Sequence, residues 1–424
     1  MNKIAQYIHT HCIPGTPGGW ERSKRMAELL GNPQEKLNII HVAGTNGKGS
    51  VCAMLESVLR QAGYTVGLYT SPHLEDYRER IQINRQLIPE DDFYECLTLL
   101  IEEVIPQILA EGHAHPTEFE IWTMTAFMYF AGKTDIVILE VGLGGELDPT
   151  NIITKPLLSV ITPISIDHSQ VLGSSLTEIA TAKAGIIKAG GQVISAWQED
   201  EARKVIEEKS WQIGAESKIL TKENIPFYQV ALLGAYQQEN CHLAVQALEW
   251  LREQGKIKFT PEDLAQGLAQ VKWQGRLEYI ALSKEKEIGI LLDGAHNPAG
   301  INALCHELST TWQKRNIILL LGILDDKEQL TMAEKIIPLA QKVIITCPDT
   351  GERGVHWQRV ADYAAKLCPN GKVEIISEPE NALRHGIAGL QSGDLFCITG
   401  SLHLLGDCRS ILKQLFLADK QHIL

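Results

Sequence analysis

Leu37-Asn38-Ile39-Ile40-His41-Val42-Ala43-Gly44-Thr45-Asn46-Gly47-Lys48-Gly49-Ser50-Val51-Cys52-Ala53-Met54-Leu55-Glu56-Ser57-Val58-Leu59 reads as a buried strand, a glycine-rich turn and an amphipathic helix. The glycines let a phosphate approach the backbone, and Lys48 and Ser50 add a charge and a hydroxyl. The helix start offers free N–H groups and the positive end of its dipole. Val51, Met54, Leu55, Val58 and Leu59 fall at i, i+3, i+4, i+7 and i+8, one face for packing on a sheet. Gly44, Thr45, Asn46, Gly47, Lys48, Gly49 and Ser50 are therefore expected to bind nucleotide phosphates, with Thr45 or Ser50 helping to hold Mg²⁺. The loop departs from G-x-x-x-x-G-K-[ST], because Val42 stands at the first glycine and Gly49 follows the lysine. An ordinary strand-to-helix turn is the alternative.

At 424 residues, 44% hydrophobic and 21% charged, the chain is long enough for two or three domains with their own cores. A net charge of -13 argues against a non-specific nucleic-acid or anionic-membrane binder, so any anion site must be local. Nine cysteines without a C-x-x-C pair fit reduced thiols rather than a disulfide framework. The N-terminal stretch lacks the apolar core of a signal peptide, and no run approaches the ~20 apolar residues of a membrane span. A cytoplasmic protein is expected.

Outward from the opening stretch, residues 1–36 read as a short helix, a Pro-Gly-rich loop at Ile13–Gly19 and a second helix ending near Gly31. A strand at Thr65–Tyr69 leads into Ser71-Pro72-His73-Leu74, at the edge where open parallel sheets collect ligands. Asp92–Leu109 is expected to be one long helix with an apolar stripe, and Ile121–Phe130 another. The apolar run Asp135–Val141 carries Glu140 at its end, where a nucleotide-linked Mg²⁺ is commonly held. After a strand at Leu158–Thr162 comes a loop with His168, then a helix, Ala182–Lys188, with Lys183 among small and apolar residues. Burial lowers a lysine's pKa, and a neutral amine can add CO₂ to become a carbamate, an anionic oxygen ligand. Pairing of an unmodified Lys183 with Glu140 or a phosphate is the alternative. A strand at Gln192–Ala196 precedes a polar stretch running to Tyr228. Five strands, at 288–292, 316–321, 342–346, 373–376 and 395–399, then alternate with helical stretches, the pattern of a smaller doubly wound α/β domain.

His41-Val42-Ala43 with G-T-N-G-K-G-S, the S-P-H-L loop, E-V-G-L-G-G-E-L-D-P-T-N (140–151) and D-H (167–168) resemble the Mur-ligase superfamily, specifically its folylpolyglutamate synthase and dihydrofolate synthase branch. G-A-Y-Q-Q-E-N (234–240), W-Q-G-R-L-E (273–278), D-G-A-H-N-P (293–298) and G-I-L-D-D-K (322–327) extend the likeness over nearly the whole chain. The resemblance implies an α/β protein with a P-loop Mur-ligase-type central ATPase domain over 1–275 and a smaller Rossmann-like glutamate ligase domain over 276–424. It implies ATP-dependent ligation of L-glutamate to folates, and to dihydropteroate, through an acyl phosphate. Lys48, Lys183 and His296 would be catalytic. Ser71, Glu140, His168 and carbamylated Lys183 would hold two Mg²⁺ ions. Asn240, Arg276 and Asp293 would contact the nucleotide, with Arg276 reaching the ATP phosphates from the second domain. Phe119, Glu120, Asp148 and Arg80 would line the acceptor pocket, and Ser401, like His296, would approach the incoming glutamate. A monomer is implied. Three positions depart from the family: Glu146 where arginine is common, Tyr236 for histidine and Gln274 for proline. The alternatives are a Mur-type ligase acting on a cell-wall precursor, and a nucleotide-binding switch without ligase turnover.

Overall fold

The computed structural model describes residues 7, 10–12, 19–283, 285–348, 354–367 and 372–421. The Pro-Gly-rich loop expected at 13–19 lies outside them except for Gly19. The chain forms two compact units: Met1–His73 with Tyr77–Ala231 and Gln237–Val271, and Leu74–Asp76 with Leu232–Tyr236 and Lys272–Leu424.

The first unit is built on an eight-stranded sheet of order β4-β3-β2-β5-β1-β6-β7-β8. Its strands are β1 Ile39–Ala43, β2 Val66–Tyr69, β3 Ile81–Ile83, β4 Gln86–Leu87, β5 Ile136–Glu140, β6 Leu158–Ile161, β7 Gln192–Ser195 and β8 Glu216–Ile219. Pairing is parallel from β2 to β8, with β3 and β4 antiparallel at one edge. Every residue of β1 and β5 is buried, as expected for strands covered on both faces, and His41 is the one ring nitrogen-bearing side chain in that apolar pair. The helices α1 Gly19–Leu29, α2 Lys48–Gln61, α3 Glu90–Leu99, α4 Glu118–Phe130, α5 Leu176–Ala184, α6 Asp200–Gln212, α7 Tyr236–Glu253 and α8 Pro261–Gln270 complete it. One buried cluster joins Met26 of α1 to Tyr69, Phe127, Phe130 and Leu139, and another joins Ala43 and Ile161 to Ile179, Ile186 and Ile206.

Several elements differ from expectation for local reasons. The helix expected at Asp92–Leu109 passes through a π turn at Leu100–Val104 before continuing as Ile105–Ala110. Pro106 has no N–H for the carbonyl one turn back, and the widened turn accommodates the missing bond. The helix expected to run to Lys188 stops at Ala184, leaving Lys183 in its last turn. The polar stretch before Tyr228 contains α6 and the edge strand β8.

The second unit has a six-stranded sheet of order β13-β12-β11-β14-β10-β9. The five expected strands are present as β10 Ile288–Leu292, β11 Asn316–Leu321, β12 Lys342–Ile345, β13 Val373–Ile375 and β14 Asp394–Thr399, joined by an antiparallel edge strand, β9 Glu278–Ser283. Its helices are α9 Pro298–Thr310, α10 Gln329–Ile336, α11 Gln358–Leu367, α12 Pro379–Ala388 and α13 Leu402–Gln421. Among the described residues no helix is long and apolar enough to cross a membrane.

The phosphate-loop helix α2 is braced by α8 at a close backbone approach. A Cβ on Gly267 would lie 2.6 Å from Val58 Cα, and Ser57 Oγ donates to the Gly267 carbonyl at 2.7 Å. Gly-to-Ala in a helix interior ordinarily gains about 1 kcal/mol, but overpacking against backbone costs about 1–3 kcal/mol. Gly267→Ala is therefore expected to lower the urea midpoint of unfolding; a raised midpoint would contradict the close packing.

Candidate active site

Val42 of β1 and Glu140 of β5 are paired in register, so the phosphate loop and the turn after Glu140 leave the sheet side by side at its carboxyl edge. Gly44 has φ 145°, and a Cβ there would fall 1.8 Å from Thr162 Oγ1, so only glycine lets the loop lie across the end of β6. The segment after β6 clamps the loop. Thr45 and Asn46 donate their N–H groups to the Pro163 carbonyl at 3.0 and 3.4 Å, and Thr45 Oγ1 donates to the Ser165 carbonyl at 3.0 Å. Lys48 Nζ donates to the carbonyls of Gly44 and Thr45 at 3.1 and 3.2 Å, and Lys183 Nζ reaches the same Gly44 carbonyl at 2.8 Å. Two lysines thus converge on one oxygen.

Lys183 is buried at 4% exposure. Gly145 makes this possible: a Cβ on it would meet the Ala182 carbonyl oxygen at 2.7 Å, so the glycine turn after Glu140 packs directly on the lysine's helical turn. Burial, with the Lys48 charge, pulls the Lys183 amine down to about 7, against the opposing influence of Asp167 and Asp148. The lowered pKa brings the unprotonated, nucleophilic amine within reach of neutral pH.

Glu140 is buried, and its Oε2 accepts the Ser71 N–H at 3.2 Å, which brings two of the expected metal ligands together. Their oxygen donors suit Mg²⁺. His168 adopts the left-handed conformation, φ 51°, with its Nε2 4.0 Å from Asp167 Oδ2. Among the described residues no three His, Cys, Asp or Glu side chains gather to hold a metal, so the donor set fits only if the Ser71 hydroxyl, an oxygen-bearing Lys183 and nucleotide oxygens contribute. As a bare amine Lys183 is a donor to Gly44, not a ligand.

Among the acceptor-pocket residues, Phe119 lies against Gly142 with its ring 6.0 Å from that of Tyr69, and Arg80 Nε donates to His73 Nδ1 at 2.9 Å. Asp148 is buried; it accepts the Leu143 N–H at 2.8 Å, the Thr150 N–H at 3.0 Å and the Thr150 hydroxyl at 2.5 Å. Burial raises its pKa against those bonds. Glu120 departs from expectation. Its two oxygens are taken at 2.6 Å by Arg22 of α1 in a pair that is almost wholly buried, so it ties α1 to α4 instead of facing a substrate. Asn240 packs against Gly47 and donates to Gln237 Oε1 at 2.9 Å, while Gln237 Nε2 donates to Ser50 Oγ at 3.2 Å. Gln237 and Thr162 had not been singled out from sequence; Gln237 at least sits within the G-A-Y-Q-Q-E-N segment.

In the second unit, the Gly400 N–H donates to the Ala295 carbonyl at 3.1 Å, placing the D-G-A-H-N-P and T-G-S-L-H turns together at the ends of β10 and β14. His296 Nδ1 bonds the Gly294 carbonyl at 2.7 Å, and Ser401 Oγ accepts the His403 N–H at 3.1 Å. Arg276 Nη1 donates to the Gly275 carbonyl at 3.2 Å. Asp293, expected on the nucleotide, instead accepts the N–H groups of Leu277 at 2.9 Å and Ala295 at 3.0 Å while buried. Both of its oxygens fasten the turn that presents Arg276.

The phosphate loop on a parallel sheet, followed by a second α/β unit, is the architecture of a Mur-type ligase, and the family models agree: the Mur ligase middle domain matches residues 42–248 and the Mur ligase glutamate ligase domain matches 275–402. Over 96% of its length the chain is 33% identical to the dihydrofolate synthase/folylpolyglutamate synthase of Bacillus subtilis, covering 98% of that protein. The crystal structure of folylpolyglutamate synthase from Thermotoga maritima superposes with a TM-score of 0.80 at 31% identity, over 97% of this chain and 96% of that one. E. coli FolC in complex with DHPP and ADP gives 0.81 at 26% identity, over 97% and 98%. The chain belongs to the folylpolyglutamate synthase and dihydrofolate synthase branch of the Mur ligases.

The buried lysine has a pH signature. Its folded pKa of about 7 lies below the ordinary 10.5, so it penalises the folded state fully below pH 7, and the penalty fades as pH rises toward 10.5. In CO₂-free buffer, Lys183→Met is expected to gain most over the parent protein at pH 6 and least at pH 10 by thermal unfolding. A difference independent of pH would contradict the lowered pKa.

Proposed function

We propose that this chain is an ATP-dependent, ADP-forming ligase that joins L-glutamate to folates and to dihydropteroate through an acyl phosphate. The convergence of Lys48 and the buried, near-neutral Lys183 on the Gly44 carbonyl, beside Glu140 and Ser71, carries the proposal. An acceptor carboxylate oxygen attacks the γ-phosphorus of ATP and ADP leaves. The glutamate amine then attacks the acyl carbon, inorganic phosphate leaves, and the nitrogen loses a proton to give the amide. Lys48 and the N–H groups at the start of α2 stabilise charge on the transferring phosphoryl group. Ser71, Glu140, His168 and a carbamylated Lys183 would hold Mg²⁺, which when bound would supply further charge neutralisation for phosphoryl transfer.

Residues 1–275 act as the ATP- and acceptor-binding domain, with Phe119 and Arg80 toward the acceptor and Asp148 shaping its pocket. Residues 276–424 act as the glutamate side, with Arg276 directed at phosphate and His296 and Ser401 at glutamate. Family membership favours this chemistry over cell-wall ligation or a nucleotide switch.

Glutamate-dependent ADP release by the purified protein, with Mg²⁺ and bicarbonate, tests the proposal. Turnover with both dihydropteroate and tetrahydrofolate is expected, and Lys183→Ala is expected to lose at least about 100-fold, the scale of a lost charge-stabilising group. Turnover with tetrahydrofolate alone would restrict the activity to chain extension. Silence with both acceptors, from protein that still binds ATP, would overturn the folate assignment.

A further inference from the structure

His41 is fully buried in the middle of β1, where every neighbour along the strand is apolar. Its Nε2 lies 2.9 Å from Thr150 Oγ1, and Thr150 Oγ1 in turn donates to Asp148 Oδ1 at 2.5 Å. Both Asp148 oxygens already accept backbone N–H groups, from Thr150 and from Leu143, so the carboxylate acts as acceptor throughout. Thr150 has one hydroxyl proton and gives it to Asp148, so the proton between His41 and Thr150 must come from His41. The bonding pattern therefore assigns the Nε2–H tautomer. Nδ1 is left as a bare buried nitrogen with no hydrogen-bond partner.

We infer that His41 is a positioning residue, which through Thr150 fixes the Asp148 carboxylate and with it the Gly142–Leu143 turn that follows Glu140. A buried histidine without a charged partner has no structural advantage over the Ile or Val that the rest of β1 uses, because it leaves one ring nitrogen unsatisfied. Its directional N–H is what an apolar side chain cannot supply. Burial, aided by the Lys188 charge, pulls its pKa down to about 3, so the ring stays neutral and the tautomer persists through the working pH range. The effect on catalysis rests on Asp148 belonging to the acceptor pocket; the tautomer does not.

Two measurements separate these. In ¹⁵N-histidine-labelled protein, long-range ¹H–¹⁵N spectra are expected to show His41 as the Nε2–H tautomer, unchanged from pH 8 to pH 5.5; an Nδ1–H tautomer or titration in that range would overturn the relay without any turnover being needed. In glutamate-dependent ADP release, His41→Leu and Thr150→Val are each expected to raise the acceptor KM about tenfold, as for one lost positioning bond. The ATP KM should be nearly unchanged, and His41→Gln, which can still donate, should recover most of the loss. Equal losses for acceptor and ATP with no recovery by Gln would reduce His41 to a packing residue. A parent enzyme inactive with both acceptors would refute the folate assignment and, with it, the catalytic part of this inference.

Discussion

The contact between the Lys183 amine and the Gly44 carbonyl holds the site together. It spans 139 residues of sequence and joins the phosphate loop after β1 to the last turn of α5, on which the glycine turn after Glu140 also packs. Lys48, itself half-buried, donates to the same oxygen, so a protonated Lys183 would set a second cation, this one buried, on one acceptor. Burial and this like charge act in the same direction, toward a neutral Lys183. The geometry thereby makes the chemically useful form, an amine that can take up CO₂, the one the fold prefers at and above neutral pH.

Within each unit, several polar groups support the candidate site residues instead of facing a ligand. Arg22 and Glu120 neutralise each other between α1 and α4. Gln237 and Asn240 back the loop at Ser50 and Gly47, and Asp293 staples the turn carrying Arg276. Removing the Glu120 carboxylate would strand the buried Arg22, a cost of about 3–5 kcal/mol for a buried ion pair. These residues preserve geometry that the candidate site residues use.

Much of this was legible in the sequence because strong local signals coincide with the fold. The apolar run, glycine turn and helical stripe of residues 37–59 appear as β1, the loop and α2, and the five later apolar runs appear as the parallel strands of the second unit. The edge strands β8 and β9 were not found, because an edge strand is only partly covered and need not show an apolar run. The roles of Glu120 and Asp293 were misplaced for another reason. An acid at a helix start or strand end looks the same in sequence whether it meets a ligand or a partner within the protein, and its partner, Arg22 or the Leu277 and Ala295 amides, is fixed only by tertiary packing. Pro106 was visible, yet the π turn it accompanies depends on the whole helix staying docked.

The central claim is that the buried Lys183 amine is available to CO₂, and ¹³C NMR of the protein in ¹³C-bicarbonate measures it most directly. One protein-bound carbamate carbon is predicted, growing between pH 6 and pH 8 and absent from Lys183→Met. A spectrum without that carbon, from protein whose Lys183 remains protonated at pH 9, would contradict the account.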